Sequence, residues 1–441
     1  MPGPRLVGEV WRSPKARRAA ANSGWLLAAT VVARLSGLAV AVVLARVLGP
    51  EEYGVWGMAL AVVALLSGLA GGGIAQVVVK ELVRRPEREP QILGSALLIR
   101  LALFLPALAA ALVAPHLPGL NQAGLGLVVT LLALAWLPQS FSGVTGALFQ
   151  SRLQDRLNFQ AGFLATVGEA LGKCLAALAG AGLWVVAAVH SLASLVRAVL
   201  ALRLLPGGWR QTREWRVESE VTRHLWSETW PIIFWSSMVA VYTSIDQLML
   251  GYLVGPSSTG QYLAAVRLAR VWLMLPPLIL PSLFPYLVKL REENQALYEQ
   301  RFAQIYWFFT WSAILISILV SLPADGLITL IFGPQYAGSG TMLAILVWGN
   351  VFSFQGLARG QWLIAEGLQR YSIYYAAIGA LTNVGANLFL IPLWGGVGAA
   401  WATLLSLVCS ILLGPLLFTP TRPSSLMLLR SYLPYRRGLL G

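Results

Sequence analysis

Twelve long apolar stretches separated by short polar segments limit what this chain of 441 residues can become. They run near 23–47, 54–78, 92–114, 123–147, 159–180, 183–202, 225–250, 260–288, 302–322, 340–364, 371–391 and 396–418. About 20 apolar residues suffice for a helix to cross a bilayer. Hydrophobic residues make up 57% of the chain and charged residues 11%, which excludes an ordinary soluble domain. A backbone in hydrocarbon must satisfy its own hydrogen bonds. The expected fold class is therefore an all-α polytopic membrane protein with twelve transmembrane helices. The first stretch is longer than a signal-peptide core and lacks a convincing small-residue cleavage site, so it is expected to remain as a helix.

The cations are sorted by side. Of 32 Lys and Arg, 24 lie in alternate connecting segments, eight lie inside apolar stretches, and the other connections hold none. Short cationic loops resist translocation. The cytoplasmic segments are thus 1–22 (Arg5, Arg12, Lys15, Arg17, Arg18), 79–91 (Lys80, Arg84, Arg85, Arg88), 148–158 (Arg152, Arg156) and 203–224 (Arg203, Arg210, Arg213, Arg216, Arg223). They continue with 289–301 (Lys289, Arg291, Arg301), Arg370, and the tail 419–441 (Arg422, Arg430, Arg436, Arg437). Both termini fall inside, in what is expected to be a bacterial plasma (inner) membrane. Gly54, Ser258 and Ala337 are expected to be reachable from outside, and Ser219 and Asn294 from inside.

The formal charge of +14 is accounted for by this topology and by anionic headgroups, so no nucleic-acid partner is expected. With three His, two Cys (Cys174 and Cys409, both inside spans) and no Walker motif, neither a metal nor another cofactor is expected. No outer connection exceeds 17 residues, which leaves no room there for a catalytic domain.

A repeat organises the chain. Gly49-Pro50-Glu51-Glu52-Tyr53-Gly54-Val55-Trp56 follows the first span, and Gly255-Pro256-Ser257-Ser258-Thr259-Gly260-Gln261-Tyr262 follows the seventh. Six spans separate the two turns, so both lie on one side and the halves are parallel repeats. The expected layout is two pseudo-symmetric six-helix lobes around a central cavity, 23–202 and 225–418, joined by the cytoplasmic linker 203–224.

These residues carry a resemblance. Ala45-Arg46-Val47-Leu48-Gly49-Pro50-Glu51-Glu52-Tyr53-Gly54, Asp246-Gln247-Leu248-Met249-Leu250-Gly251, Phe332-Gly333-Pro334-Gln335-Tyr336 and the run Gly395-Gly396-Val397-Gly398-Ala399-Ala400-Trp401-Ala402-Thr403 are similar to those of polysaccharide transporters. These are the O-antigen and oligosaccharide-lipid flippases of the multidrug/oligosaccharidyl-lipid/polysaccharide exporter superfamily. The resemblance implies a transporter and not an enzyme. Its substrate would be a polyprenyl-pyrophosphate-linked oligosaccharide, its surroundings membrane lipids, and its partners the polysaccharide polymerase and chain-length machinery. It also implies that helices one, two, seven and eight line the cavity.

Ionisable residues inside spans are costly and mark function by default. Arg34 lies eleven residues into its span, roughly 16 Å deep at 1.5 Å per residue. Arg267 and Arg270 share a helix face. These three are the candidates for holding pyrophosphate, while Arg46, Arg197 and Arg359 lie near span ends and are expected to snorkel. Arg100 is intermediate in depth. Glu169 and Lys173, at i and i+4, and Asp246 are the candidates for ion coupling. His190 reads as an ordinary polar position, and Asn383 with Asn387 as interhelical glue. Pro276, Pro277 and Pro281, with Pro285, mark a kink or gate below the arginine pair.

Cations outnumber carboxylates within the spans, favouring an anionic substrate moved by alternating access. Two readings stay beside this one. A cation-coupled multidrug exporter of the same superfamily would want carboxylates at the centre of its first and seventh spans. A polytopic glycan polymerase or ligase would want a larger outer loop with catalytic Arg or His.

Overall fold

The computed structural model describes residues 14–117 and 120–433, so Arg5, Arg12, Arg436 and Arg437 lie outside the described residues. The longer helices are α1 (Pro14–Ser67), α2 (Ile74–Arg84), α3 (Glu89–Val113), α4 (Leu125–Leu134), α5 (Trp136–Ser151), α6 (Asp155–Leu178), α7 (Leu183–Arg203) and α8 (Ser219–Leu253). They continue with α9 (Pro256–Arg270), α10 (Leu275–Glu293), α11 (Gln295–Ser321), α12 (Ala324–Phe332), α13 (Gly340–Leu346), α14 (Gly349–Glu366), α15 (Tyr371–Leu407) and α16 (Arg422–Arg430). No strand occurs among the described residues.

Nine helical runs among the described residues are long and apolar enough to cross a membrane, and ten if the bent pair Pro334–Leu346 and Gly349–Glu366 forms one span. Two of the nine are double. α1 leaves helical geometry at Gly49 and α15 at Gly395, where the sequence divides its first span from its second and its eleventh from its twelfth. Each of the twelve apolar stretches is thus helical over most of its length.

The chain folds as two compact units. Among the described residues, the first takes 14–40, 66–116 and 126–236, and the second takes 41–65, 117, 120–125 and 237–433.

In the first unit, Ile74, Val78, Leu93, Leu148, Phe149 and Leu225 belong to one buried cluster. Its polar rim joins the basic segments through Lys80–Glu228 at 2.6 Å, Arg152–Glu89 at 2.7 Å and His224–Glu81 at 3.4 Å. The segment leading to α8 is pinned to the start of α3. Arg216 N donates to Pro90 O at 3.0 Å, and a Cβ at Gly94 would strike the Arg216 backbone. Span two is interrupted between α1 and α2 at residues 68–73, where Gly71 and Gly73 take φ of 90° and 88°.

The second unit contains the repeated turns. Gly49 (φ 74°, ψ 174°) and Gly255 (φ 127°, ψ 170°) occupy backbone space that a side chain rarely enters, and the following proline opens the next helix with its φ already set. The two openings cross reciprocally. A Cβ at Gly54 would overlap the Pro256 carbonyl, and one at Gly260 would overlap the Pro50 carbonyl. Small residues allow helix backbones to approach in this way. Gly54 is consequently buried rather than reachable, while Glu51, Glu52 and Ala337 are exposed. We therefore expect cysteine at Glu52 or Ala337 to react with an impermeant thiol reagent on sealed cells, and cysteine at Ser219 or Asn294 to stay unlabelled. Outside labelling at Ser219 would overturn the topology.

Two arginines expected to snorkel are bonded inside this unit. Arg46 donates from Nε to Ile331 O at 2.8 Å and from Nη2 to Leu330 O, capping the last turn of α12. Arg359 is 2% exposed. Its Nη1 donates to the carbonyl of Ile411, within the π-helical turn Val408–Leu413, and its Nε reaches Ser424 Oγ at 3.3 Å. The π turn offers a carbonyl to a side chain, which explains why depth in the span misjudged this residue.

α16 is held further by Tyr306 to Ser424 at 2.9 Å, while the residue just past it, Ser431, meets Thr310 at 2.9 Å. Arg359→Met would strip the Ile411 carbonyl of its side-chain donor and remove one of the bonds on Ser424, at a cost of about 1–3 kcal/mol. We expect faster amide exchange across 422–430, and unchanged exchange there would contradict the anchoring role.

Candidate functional site

Each unit holds its own constellation of charge. In the first, a cleft of about 350 Å³ opens among α1, α6 and α7 and is lined by Arg34 and Arg197 together with Trp25, Phe159, Asn158 and Asp155. Arg34 and Arg197 are both exposed, and neither makes a hydrogen bond or ion pair among the described residues. Arg197 therefore joins Arg34 instead of merely reaching for a membrane surface. Trp25 and Phe159 pack at a tilt with centroids 5.0 Å apart, and Phe159 and Phe163 at 5.4 Å extend that wall.

Along the same two helices, Glu169 accepts from Lys173 Nζ at 2.6 Å and lies 2.8 Å from His190 Nδ1, both through Oε1. One carboxylate thus answers Lys173 by helical spacing and His190 from the neighbouring helix. Arg197 lies within its electrostatic reach. His190 is a polar partner that the sequence reading missed. Its separation of seven residues from Arg197 puts the two on one face of α7, and that spacing was the available signal.

Arg100, on α3, has its side chain against Gly71 and Gly143. Its Nε is buried without a hydrogen-bond partner.

In the second unit, Asp246 on α8 is fully buried. It accepts from the Tyr262 hydroxyl, from Thr403 Oγ1 at 3.0 Å and from the Gln247 amide at 2.9 Å. Arg270 donates to Thr243 O at 3.0 Å and is the cation acting on Asp246. The structure so brings together two of the residues singled out from the sequence and adds Tyr262 and Thr403, for which no spacing gave a signal. Arg267 is exposed on the same helix as Arg270, with the buried Tyr53 hydroxyl in its field.

Below them α9 ends in a 3₁₀ turn, Val271–Met274, and α10 starts with Pro276 and Pro277 in its first turn. Only Pro281 and Pro285 lie inside α10. The break therefore falls directly after Arg270, and the first two prolines open the next helix. Asn387 Nδ2 donates to Asn383 Oδ1 at 3.0 Å, and both residues are buried in α15. Among the described residues no group of three or more His, Cys, Asp and Glu is arranged to hold a metal ion.

Comparison with known proteins supplies context for this arrangement. Residues 19–291 match the family described as "Polysaccharide biosynthesis protein". A stretch of 176 residues is 28% identical to the "Probable flippase AglR" of Haloferax volcanii, spanning 39% of this chain and 37% of that relative.

Among solved structures, an inward-facing multidrug resistance MATE family transporter of the MOP superfamily aligns at a TM-score of 0.69 with 15% identity, over 89% of this chain and 96% of the other. The lipid II flippase MurJ in an inward closed conformation aligns at 0.69 with 12% identity, over 92% and 90%. A MOP superfamily transporter from Pyrococcus furiosus, whose binding pocket is described as having reverse polarity, aligns at 0.62 with 14% identity, over 94% and 98%. At these identities the likeness is one of fold.

Proposed function

The chain belongs to the polysaccharide biosynthesis protein family, and from that premise we propose that it is a flippase. Its substrate in this reading is a polyprenyl-pyrophosphate-linked oligosaccharide, carried from the cytoplasmic to the outer leaflet of the plasma membrane for surface polysaccharide assembly. The relative named as a probable flippase supports the activity, and the fold shared with the lipid II flippase MurJ is in keeping with a lipid-linked substrate. The observation that carries the reading is the pair of exposed, membrane-embedded cations Arg34 and Arg267. A guanidinium left open at that depth is costly unless an anion or water meets it.

The mechanism follows from the charges. Arg34 and Arg267 hold the pyrophosphate with forked hydrogen bonds. Arg270, fixed by Thr243, adds positive field. Two six-helix lobes, 23–202 and 225–418, alternate access around the linker 203–224, while the lipid tail stays in the bilayer. The 3₁₀ turn Val271–Met274, with Pro276, Pro277 and Pro281 just after it, is the bending point beneath the arginines. No covalent bond changes. With the cytoplasm negative, outward movement of phosphate is assisted by about 2.3 kcal/mol per charge per 100 mV.

Asp246 and the Glu169–Lys173 pair are the ion-coupling residues of this scheme. A cation exporter is disfavoured because it would need a carboxylate free to meet a cationic drug, whereas Asp246 is enclosed and Glu169 is already bonded by Lys173 and His190.

In a strain that depends on this chain, depleting it should trap lipid-linked precursor on the inner membrane face and stop surface display. Asp246→Asn and Glu169→Gln should leave transport insensitive to external pH and sodium. Precursor reaching the outer face at an undiminished rate after depletion would remove the flippase reading. An unaltered ion response in both variants would return the carboxylates to structural roles.

A further inference from the structure

The cleft of the first unit contains more than a cation. Its aromatic wall, Trp25 packed at a tilt on Phe159 and Phe159 on Phe163, faces the same space as Arg34 and Arg197. Trp25 is 37% exposed, so its ring is available to a ligand. Asn158 and Thr166 line the cleft too, and neither makes a hydrogen bond among the described residues. The one carboxylate in the lining, Asp155, is 1% exposed and has an interaction of its own, its Oδ1 accepting no hydrogen bond, and the two guanidiniums outnumber it. Glu169 makes no ion pair with Arg197; its Oε1 bonds Lys173 and His190, and it acts on Arg197 only at longer range.

Positive charge, an apolar ring face and unpaired amide and hydroxyl groups match a particular chemistry. A pyranose presents C–H groups on its faces and hydroxyls around its edge, so it stacks on an aromatic ring while its rim hydrogen-bonds. Phosphate oxygens accept from guanidinium forks. On the topology set by the basic segments, Trp25, Asn158 and Arg197 all lie toward the cytoplasmic ends of their spans, where a substrate from the inner leaflet would arrive. A site of about 350 Å³ lies at the low end of ligand cavities and suits one sugar with its phosphate rather than a whole glycan.

We infer that this cleft is the loading site for the sugar–phosphate junction of a lipid-linked glycan. Arg197 is a second phosphate ligand beside Arg34, and Trp25 with Phe159 is the platform for the first sugar. This rests on the flippase reading and goes beyond it by assigning which part of the substrate is read, and by which residues.

The test is equilibrium binding by native mass spectrometry to full-length protein in nanodiscs, with three probes: polyprenyl-diphospho-N-acetylglucosamine, polyprenyl diphosphate and phosphatidylglycerol. Trp25→Ala should weaken the sugar-bearing probe roughly ten-fold and leave polyprenyl diphosphate unchanged. Arg197→Gln should weaken both diphosphates by about ten-fold or more, with Arg197→Lys recovering part of the loss.

If wild-type protein binds both diphosphates and neither variant changes that, the cleft assignment is wrong while the flippase reading stands. If phosphatidylglycerol competes equally and Trp25→Ala affects no probe, the cleft is an ordinary headgroup seat and the inference is overturned. If wild-type protein binds neither diphosphate, both fall together. A thermal midpoint unchanged in each variant separates lost binding from lost fold.

Discussion

Replacing Arg34 and Arg267 together by Gln is expected to slow translocation at least about a hundred-fold, because each forfeits a charge-assisted contact of roughly 1.5–3 kcal/mol. Both side chains are exposed; Arg34 carries no hydrogen bond among the described residues, and Arg267 touches only the Tyr53 hydroxyl. Removing an intramembrane charge lowers the cost of insertion by about 2.5–3.5 kcal/mol, so reduced transport cannot be assigned to failed insertion. Lys at position 34 should recover only part of the rate, since an ammonium keeps the charge without the fork.

Arg270 needs a different design. Its loss leaves Asp246 buried without its cation, so Arg270→Gln is informative only beside Arg270→Gln with Asp246→Asn. The measurement is precursor on each membrane face, together with surface display. Wild-type display from the Arg34, Arg267 double variant would end the anionic-cavity argument.

Gly54→Leu, and even Gly54→Ala, is expected to cost about 3 kcal/mol or more and to abolish recovery of monodisperse protein. The added carbon meets the Pro256 backbone carbonyl, which has no rotamer by which to withdraw. Gly57→Ala makes the contrast sharp. Its Cβ would come within 3.0 Å of the Leu263 side chain and 3.4 Å of Thr259, and both can shift. Gly385→Ala meets nothing within 4 Å and should be neutral or slightly stabilising. Equal yields and thermal midpoints for alanine at 54, 57 and 385 would show that the crossing is looser than described.

The legible part of the fold was whatever recurs along one helix. Apolar length gave the helices, and Gly-Pro at 49–50 and 255–256 gave their ends, because glycine admits the required φ and proline begins the next turn. The Glu169–Lys173 contact was legible for the same reason, its spacing being intrinsic to a helix. What joins different helices was not legible. Asp246 meets Thr403 across 157 positions, and no local pattern announces such a partner.

Depth along a span was the sequence's only guide to burial, and it treated Arg46, Arg197 and Arg359 alike. The structure separates them, giving one to the carbonyls ending α12, one to the cleft, and one to a π turn that hydropathy does not reveal. Gly54 failed as an outer probe site for a similar reason. Charge bears only on its expected side of the membrane, whereas its burial depends on the other copy of the same turn.

That turn meeting itself has the form of an isologous contact, in which residue i touches j′ and j touches i′, as at the two-fold axis of a homodimer. Here both partners are encoded in one gene. A duplicated six-helix ancestor would have satisfied the contact by symmetry, with every substitution tested twice at once. After fusion the two copies can change separately, yet Gly54 is still judged by Pro256 and Gly260 by Pro50. The repeated turn is therefore a place where each half constrains the other, and where transplanting one half from a relative should require its mate to come along.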